Sequence, residues 1–486
     1  MKFSSYTLGC KVNQFETRGI ESILLDRGHE LVKAGEGCDA CIINTCTVTS
    51  ESAGKSRRAV RRIKRLEPDA LIAVCGCLSE LEPDTAMSVG ADLIGGSGNR
   101  TLFALKIERE TELRRSAKST KKPSAPNCQL PTANPPLSPL HPPPSTPNSQ
   151  LLTANPQPST LHPQPSTPNC QLSTLNSQLS TFEDLPLASS ASSPKTRALL
   201  KIQDGCDNRC AYCVIPLARG RSRSLPQHHA AEQAKQLHEQ GFREIIITGI
   251  EISSYGKDIG AHASIAAVTR EIGAAAPGAR IRLGSLDPGI LDEGIIREFR
   301  EIPNLCGHFH LSLQSGCDET LRRMGRRYST DKISSAISML RDSFPGCGIT
   351  ADLITGFPGE TEEEFEITMG FIYKAAFSDM HIFPYSSRPG TKAADMPGHI
   401  DKNIKVERAR AAAAAAGEMA GKFRQSQIGK TADVLFEKIR DGFHIGYTGS
   451  YIEAAVKNGG PKNSISRVLL TAYKNGVVYG EAIPPM

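Results

Sequence analysis

Short apolar runs alternate with helix-forming stretches over residues 1–112. A strand is expected up to Leu8, a helix from Gln14 to Arg27 and a strand from Ala40 to Asn44. A basic helix beginning at Ala53 and strands at Leu71–Val74 and Asp92–Ile94 complete the series. Strands separated by helical crossovers specify a parallel sheet, because a tight turn cannot join two parallel neighbours. The same rhythm resumes at Arg197, where Ala198–Ile202, Glu244–Thr248, Arg280–Ser285, His308–Leu313, Gly348–Ile354 and Ser378–Phe383 read as strands. Strand–helix units in this spacing predict an open or partial (β/α) barrel, with its chemistry at the C-terminal ends of the strands. After an alanine-rich helix over Lys402–Gln427, the stretches Thr431–Glu437, Gly446–Val456 and Ser466–Val478 read as strands between Gly and Asn turns. That pattern suits a small β-barrel. The fold class is therefore α/β: an N-terminal parallel-sheet domain over 1–112, a partial (β/α) barrel over 196–424 and a small C-terminal β-barrel over 425–486.

Between 113 and 195 the periodicity gives way to Pro, Ser, Thr, Asn, Gln and Leu, with repeats that start at Pro126, Pro147 and Pro168. Units so poor in aromatic and β-branched residues cannot bury a continuous core, so a disordered, partly polyproline insert is expected rather than a solenoid. Cys128 and Cys170 occupy equivalent repeat positions, and duplication explains them without metal binding.

The length of 486 residues is too great for one ordinary core, in keeping with several domains. A net charge of +6 is compatible with a nucleic-acid partner and does not prove one. No apolar run reaches the roughly 18 residues of a membrane span, and the start Met1-Lys-Phe-Ser-Ser-Tyr-Thr lacks the apolar core of a secretory signal. No membrane association is expected, and the chain reads as cytoplasmic. In such a chain, 14 cysteines point to thiolates for metal or redox chemistry rather than to disulfides.

Cys206, Cys210 and Cys213, spaced C-x3-C-x2-C just past the first barrel strand, carry the strongest signal. Three thiolates in one loop can tie three irons of a 4Fe-4S cubane and leave the fourth open. An open iron can take S-adenosylmethionine through its amino and carboxylate groups, and an electron then cleaves the sulfonium to methionine and a 5'-deoxyadenosyl radical. A closed zinc site wants four ligands, and no suitable fourth His or Cys follows nearby. Cys10, Cys46 and Cys77 each follow a strand of the first domain. Parallel strands bring their C-terminal ends to one edge, so these three can converge on a second cluster. Cys38 and Cys41 read as buried small hydrophobes. Gly249, Glu251, Ser285, Gln314 and Gly356 fall where a barrel presents cofactor contacts, and are candidates for binding S-adenosylmethionine. Turn geometry accounts equally well for the glycines, and a surface charge for Glu251.

The strings Thr7-Leu-Gly-Cys10-Lys-Val-Asn, Ile247-Thr-Gly-Ile-Glu-Ile-Ser-Ser-Tyr255-Gly, His310-Leu-Ser-Leu-Gln-Ser-Gly316-Cys-Asp and Phe383-Pro-Tyr-Ser-Ser-Arg-Pro-Gly390-Thr resemble the methylthiotransferase family. Within it the chain is most similar to the enzymes acting on tRNA N6-threonylcarbamoyladenosine. The resemblance covers nearly everything outside the insert. It implies an N-terminal cluster domain, a radical S-adenosylmethionine core and a C-terminal TRAM domain. It also implies two 4Fe-4S clusters, one held by Cys206, Cys210 and Cys213 and one by Cys10, Cys46 and Cys77. Cys75 is the alternative to Cys77, and Leu78-Ser79-Glu80 replaces the family's usual Tyr-Ala-Gln. The implied reaction uses one S-adenosylmethionine to methylate a cluster-bound sulfur and a second to activate carbon 2 of the adenine at position 37. The implied partners are the tRNA anticodon loop, an electron donor such as flavodoxin or ferredoxin, and a sulfur source. No acid–base or nucleophilic constellation stands beside the cysteines, which suits such chemistry. Methylthiolation of another tRNA adenosine or of a ribosomal-protein aspartate, and a non-catalytic RNA-binding iron–sulfur sensor, are the competing readings. For RNA, the candidate contacts are the basic helix Lys55–Arg65, the run Ala218–Arg223, and Tyr447 and Tyr451, which suit either base stacking or a barrel core.

Overall fold

In this computed structural model, residues 1–119, 181–187, 196–260 and 262–484 are described. The N-terminal sheet runs Glu30–Leu31, Lys2–Thr7, Ala40–Thr45, Leu71–Gly76, Leu93–Ile94, parallel throughout. Its two central strands, Ala-Cys-Ile-Ile-Asn-Thr and Leu-Ile-Ala-Val-Cys-Gly, are buried at every position, as a parallel sheet covered on both faces requires. The first helix begins at Lys11, earlier than its periodicity indicates, and the basic helix spans Ser50–Leu66 with Thr49 accepting from the Ser52 N–H. A helix over Arg100–Ser119 was not expected and runs into the stretch assigned to the insert.

The barrel strands all form, and all pair in parallel. The third breaks into Arg280–Arg282 and Ser285–Leu286, so the barrel is made of a three-stranded and a four-stranded sheet. Ala198, Leu200, Ile245, Ile247, Leu311, Leu313, Ala351 and Leu353 point outward into the main core. By alternation Arg197, Leu199, Lys201, Glu244, Ile246, His308, His310, Ser312 and Asp352 face the lumen. Helix Lys11–Asp26 enters the open side of the barrel, where Phe15 packs on Leu199, Ile246 and Leu185.

Leu185 revises the insert's boundary. It is 2% exposed, Glu183 accepts the Thr101 N–H at 3.0 Å, and the Ser22 hydroxyl donates to the Leu187 carbonyl at 3.2 Å. Residues 181–187 thus belong to the folded body, while 120–180 and 188–195, with Cys128 and Cys170, lie outside the described residues. Leu185→Ala is expected to cost about 2–4 kcal/mol, measured as a lower denaturation midpoint.

The C-terminal barrel closes in the order Thr431–Arg440, Phe443–Thr448, Glu453–Lys457, Val477–Ala482, Ile465–Lys474 around Val434, Phe436, Val456, Val468 and Val478. Two expected strands each prove to be a pair, split at Tyr451, which takes φ 68°, and at the Asn475-Gly476 turn. Among the described residues no helix is long and apolar enough to cross a membrane.

Candidate active site

The loop bearing Cys206, Cys210 and Cys213 leads from the strand Gln203–Asp204 to the short helix Ile215–Arg219. It is pinned by the Cys206 N–H on the Gly220 carbonyl at 3.0 Å, the Ala211 N–H on the Met324 carbonyl at 2.8 Å and the Cys213 N–H on the Cys210 carbonyl at 3.1 Å. The three thiols lie within electrostatic reach of one another, and burial pushes Cys206 up to about 11 and Cys213 up to about 12. Arg326 donates to Cys210 Sγ at 3.3 Å while holding Asp287 at 2.9 Å and the Tyr328 hydroxyl at 2.7 Å. A fixed guanidinium on one sulfur suits a thiolate, so this donor set fits an iron–sulfur cluster.

The candidate cofactor contacts lie at or just past the ends of barrel strands. Glu251 is no surface charge: burial, then Asp287, raise its carboxyl, its N–H donates to Gln203 Oε1 at 2.8 Å, and it acts on Cys206. Gly249 packs against Gln203 and Ile252 beside it. The Ser285 hydroxyl bonds that of Ser312 at 2.9 Å on the neighbouring strand. Gln314 ends its strand with φ 66°, a left-handed conformation rare outside glycine, where the pairing register shifts. The Gly356 N–H donates to Glu360 at 2.7 Å, and the next residue, Phe357, meets Tyr212 edge-on at 6.4 Å.

Cys10, Cys46 and Cys77 converge. Cys10 and Cys46 both bear electrostatically on Cys77, which burial pushes up to about 11, and Cys10 also bears on Cys46. Gly9 brings the first strand end so close that a Cβ there would lie 2.7 Å from Cys46 Cβ. Gly76, at φ 102°, turns the third end, and a Cβ there would strike the Thr45 carbonyl at 2.3 Å. Cys75 points the other way, into the core with Phe3, Ile42 and Phe103, and feels Arg100 and Glu16 but not Cys10 or Cys46. Cys38 and Cys41 are buried as expected, with their sulfurs 3.1 Å apart and the Ser4 hydroxyl on Cys41 at 3.2 Å.

Residues 200–372 match the radical SAM superfamily and residues 2–96 an uncharacterised protein family, UPF0004. The chain is 31% identical to a threonylcarbamoyladenosine tRNA methylthiotransferase (MtaB) of Bacillus subtilis strain 168, over 98% of this chain and 94% of that one. It is 31% identical to the enzyme of the same name from Thermotoga maritima, over 92% of this chain and 89% of that one. A tRNA-2-methylthio-N(6)-dimethylallyladenosine synthase of Syntrophotalea carbinolica is 29% identical, over 89% and 87%. The chain belongs to the radical SAM tRNA methylthiotransferase family. Among solved structures, the radical S-adenosylmethionine methyltransferase TsrM from Kitasatospora setae, with cobalamin and a [4Fe-4S] cluster bound, shares its fold at 15% identity. The TM-score is 0.52, with 81% of this chain and 74% of that one covered.

In this methylthiotransferase a buried ion network joins the two cysteine sets. Arg219 donates to Glu16 at 2.7 Å, to Asp204 at 3.1 Å and to Asn13 at 2.7 Å. Lys201 bridges Asp204 at 2.7 Å and Glu16 at 3.1 Å, and Arg100 holds Glu16 at 2.8 Å. Arg223 also approaches Asp204 at 3.8 Å, so four cations against two carboxylates leave a surplus positive charge, and Arg219 acts directly on Cys77. Arg219 opposes the rise that burial imposes on the Cys46 and Cys77 thiols, so this set also fits a cluster. Sequence reasoning missed the network. Arg219 and Arg223, read there as phosphate contacts, are buried, whereas Arg221 of the same run is exposed. Tyr447 and Tyr451 lie outside the core of the small barrel, contrary to one of the two expectations. They stack on each other at 5.2 Å beneath Arg197, and Arg282 lies over Tyr451 at 4.7 Å, which fixes the small barrel to the large one.

Proposed function

We propose that the chain transfers a methylthio group to carbon 2 of N6-threonylcarbamoyladenosine at position 37 of tRNA. The observation that carries this reading is the presence of two separate cysteine triads, Cys206/Cys210/Cys213 and Cys10/Cys46/Cys77, joined by one ion network. Each triad would hold a 4Fe-4S cluster. When bound, the groups supply a 5'-deoxyadenosyl radical from S-adenosylmethionine at one triad and a methylated sulfur at the other. Glu251, held by Gln203, with Gly249, Ser285, Gln314 and Gly356 would seat the S-adenosylmethionine. The relatives named for threonylcarbamoyladenosine support the choice of base. An electron donor such as flavodoxin or ferredoxin and a sulfur source complete the proposed system.

For the anticodon loop, the proposed contacts are the exposed basic face Lys55, Arg58, Arg61, Arg62 and Arg65, with the TRAM-like C-terminal barrel. Replacing Arg58, Arg61 and Arg65 together by alanine is expected to weaken tRNA binding and to lower the salt slope of log K by about 2 to 3. Binding titrations across ionic strengths read this directly.

Cys77→Ala is expected to remove the first-domain cluster, whereas Cys75→Ala keeps it and costs only about 1 kcal/mol of core packing. Iron analysis of the two purified variants separates them. The function itself is tested by mass spectrometry of tRNA nucleosides from a deletion strain. Loss of the methylthio form with threonylcarbamoyladenosine retained is expected; unchanged tRNA with an unmodified ribosomal-protein aspartate would overturn the reading.

A further inference from the structure

The wall of the lumen facing helix Lys11–Asp26 is basic. Lys11 from that helix acts electrostatically on Arg197, Arg282, His308 and His381 of the barrel strands. The acids there are already matched. Glu244 takes Arg282 at 2.9 Å and Arg280 at 2.5 Å, and Glu437 takes Arg197 at 2.7 Å. Asp352 receives His310 Nε2 and His381 Nδ1, each at 3.1 Å. Lys11 has neither an ion pair nor a hydrogen bond among the described residues, and it lines a cavity of about 390 Å³ with Arg18, Arg197 and Tyr451. The lining of that cavity carries four cations, Lys11, Arg18, Arg197 and Lys438, against one carboxylate, Glu437.

The histidines are oriented rather than loose. His310 Nδ1 bonds the Thr350 hydroxyl at 2.8 Å, which in turn bonds His308 Nε2 at 3.2 Å. His310, Asp352 and His381 also bring their ligand atoms within 4.8 Å of one another, as a divalent cation would require. Lys11, which acts on both Asp352 and His381, disfavours a cation there, and the surplus positive charge of the wall favours an anion.

Lys11 directly follows Cys10, so this wall adjoins the first-domain triad, where the proposed function brings the adenine. The threonylcarbamoyl group on N6 ends in a carboxylate, whereas a dimethylallyl group is wholly apolar. We propose that Lys11, with His381 held through its Nδ1 by Asp352, binds the carboxylate of the threonylcarbamoyl side chain and so selects that adenosine over those with an apolar N6 group. The inference rests on the substrate reading above and adds the residues that enforce it.

The test uses the full reconstituted chain and anticodon stem-loops carrying threonylcarbamoyladenosine, its threonine amide, or dimethylallyladenosine. Wild type is expected to favour the acid over the amide by about tenfold or more in kcat/KM. Lys11→Met is expected to bring that ratio toward one, mainly through KM, and Lys11→Arg to recover part of it. A ratio unchanged in Lys11→Met, or equal use of acid and amide by wild type, would overturn the inference while leaving the substrate assignment intact. If Lys11→Met does not fold, the wild-type comparison decides alone. Methylthiolation of the dimethylallyl loop but of neither threonylcarbamoyl form would overturn the substrate assignment and the inference together.

Discussion

Glu16→Ala is expected to lower stability by about 3–5 kcal/mol, because Arg100, Arg219 and Lys201 would all lose the carboxylate they share in a fully buried place. Arg100 fares worst, keeping only the Gly96 carbonyl. Glu16→Gln, which keeps the shape and removes the charge, isolates the electrostatic part. Burial alone would push the Glu16 carboxyl up, but Arg100, Arg219 and Lys201 outweigh it and hold the group well below its ordinary range. A depressed carboxylate contributes stability above its unfolded pKa of about 4.3 and loses it as pH falls toward the folded value. The gap between wild type and Glu16→Gln is therefore expected to be full above about pH 5 and to narrow in acid, as denaturant titrations at several pH values would show. Because Glu16 also braces the Arg219 link to Asp204, both variants should retain less iron after reconstitution.

Replacing Cys206, Cys210 and Cys213 together by alanine should abolish reductive cleavage of S-adenosylmethionine and lower methylthio transfer by more than about 10³-fold. The fold should persist. These cysteines sit on a loop outside the core, while the preceding strand Arg197–Lys201 and its neighbour Glu244–Thr248 are anchored by Ala198, Leu200 and Ile247. Cleavage assays report the first effect, and circular dichroism of the same preparation reports the second.

The grouping of the cysteines was legible because sequence spacing and strand order together determine it. Cys206, Cys210 and Cys213 are local, and Cys10, Cys46 and Cys77 are brought together by nothing more than parallel strands ending on one edge. Cys75 against Cys77 was not legible, since the choice turns on the φ of Gly76, which sends one sulfur into the core and the other toward Cys46. The strands Glu30–Leu31 and Leu93–Ile94 are too short to show a period of two. Leu185 was hidden by its Pro- and Ser-rich surroundings, although one leucine suffices to fill the gap beside Phe15. The Glu16–Lys201–Arg219 network escaped for a different reason. Its members stand far apart in sequence, and Arg219 lies in a run whose other charges resemble solvated ones. Likewise the basic wall around Lys11 exists only once the first helix enters the barrel.

The proposed function stands on one chain carrying two separate iron–sulfur sites. Iron and sulfide analysis with Mössbauer spectra of anaerobically reconstituted protein tests it most directly, comparing wild type with the Cys206/Cys210/Cys213→Ala variant. About eight irons in wild type and about four in the variant are expected. About four falling to none would contradict the account, since the first-domain triad would then hold no cluster of its own.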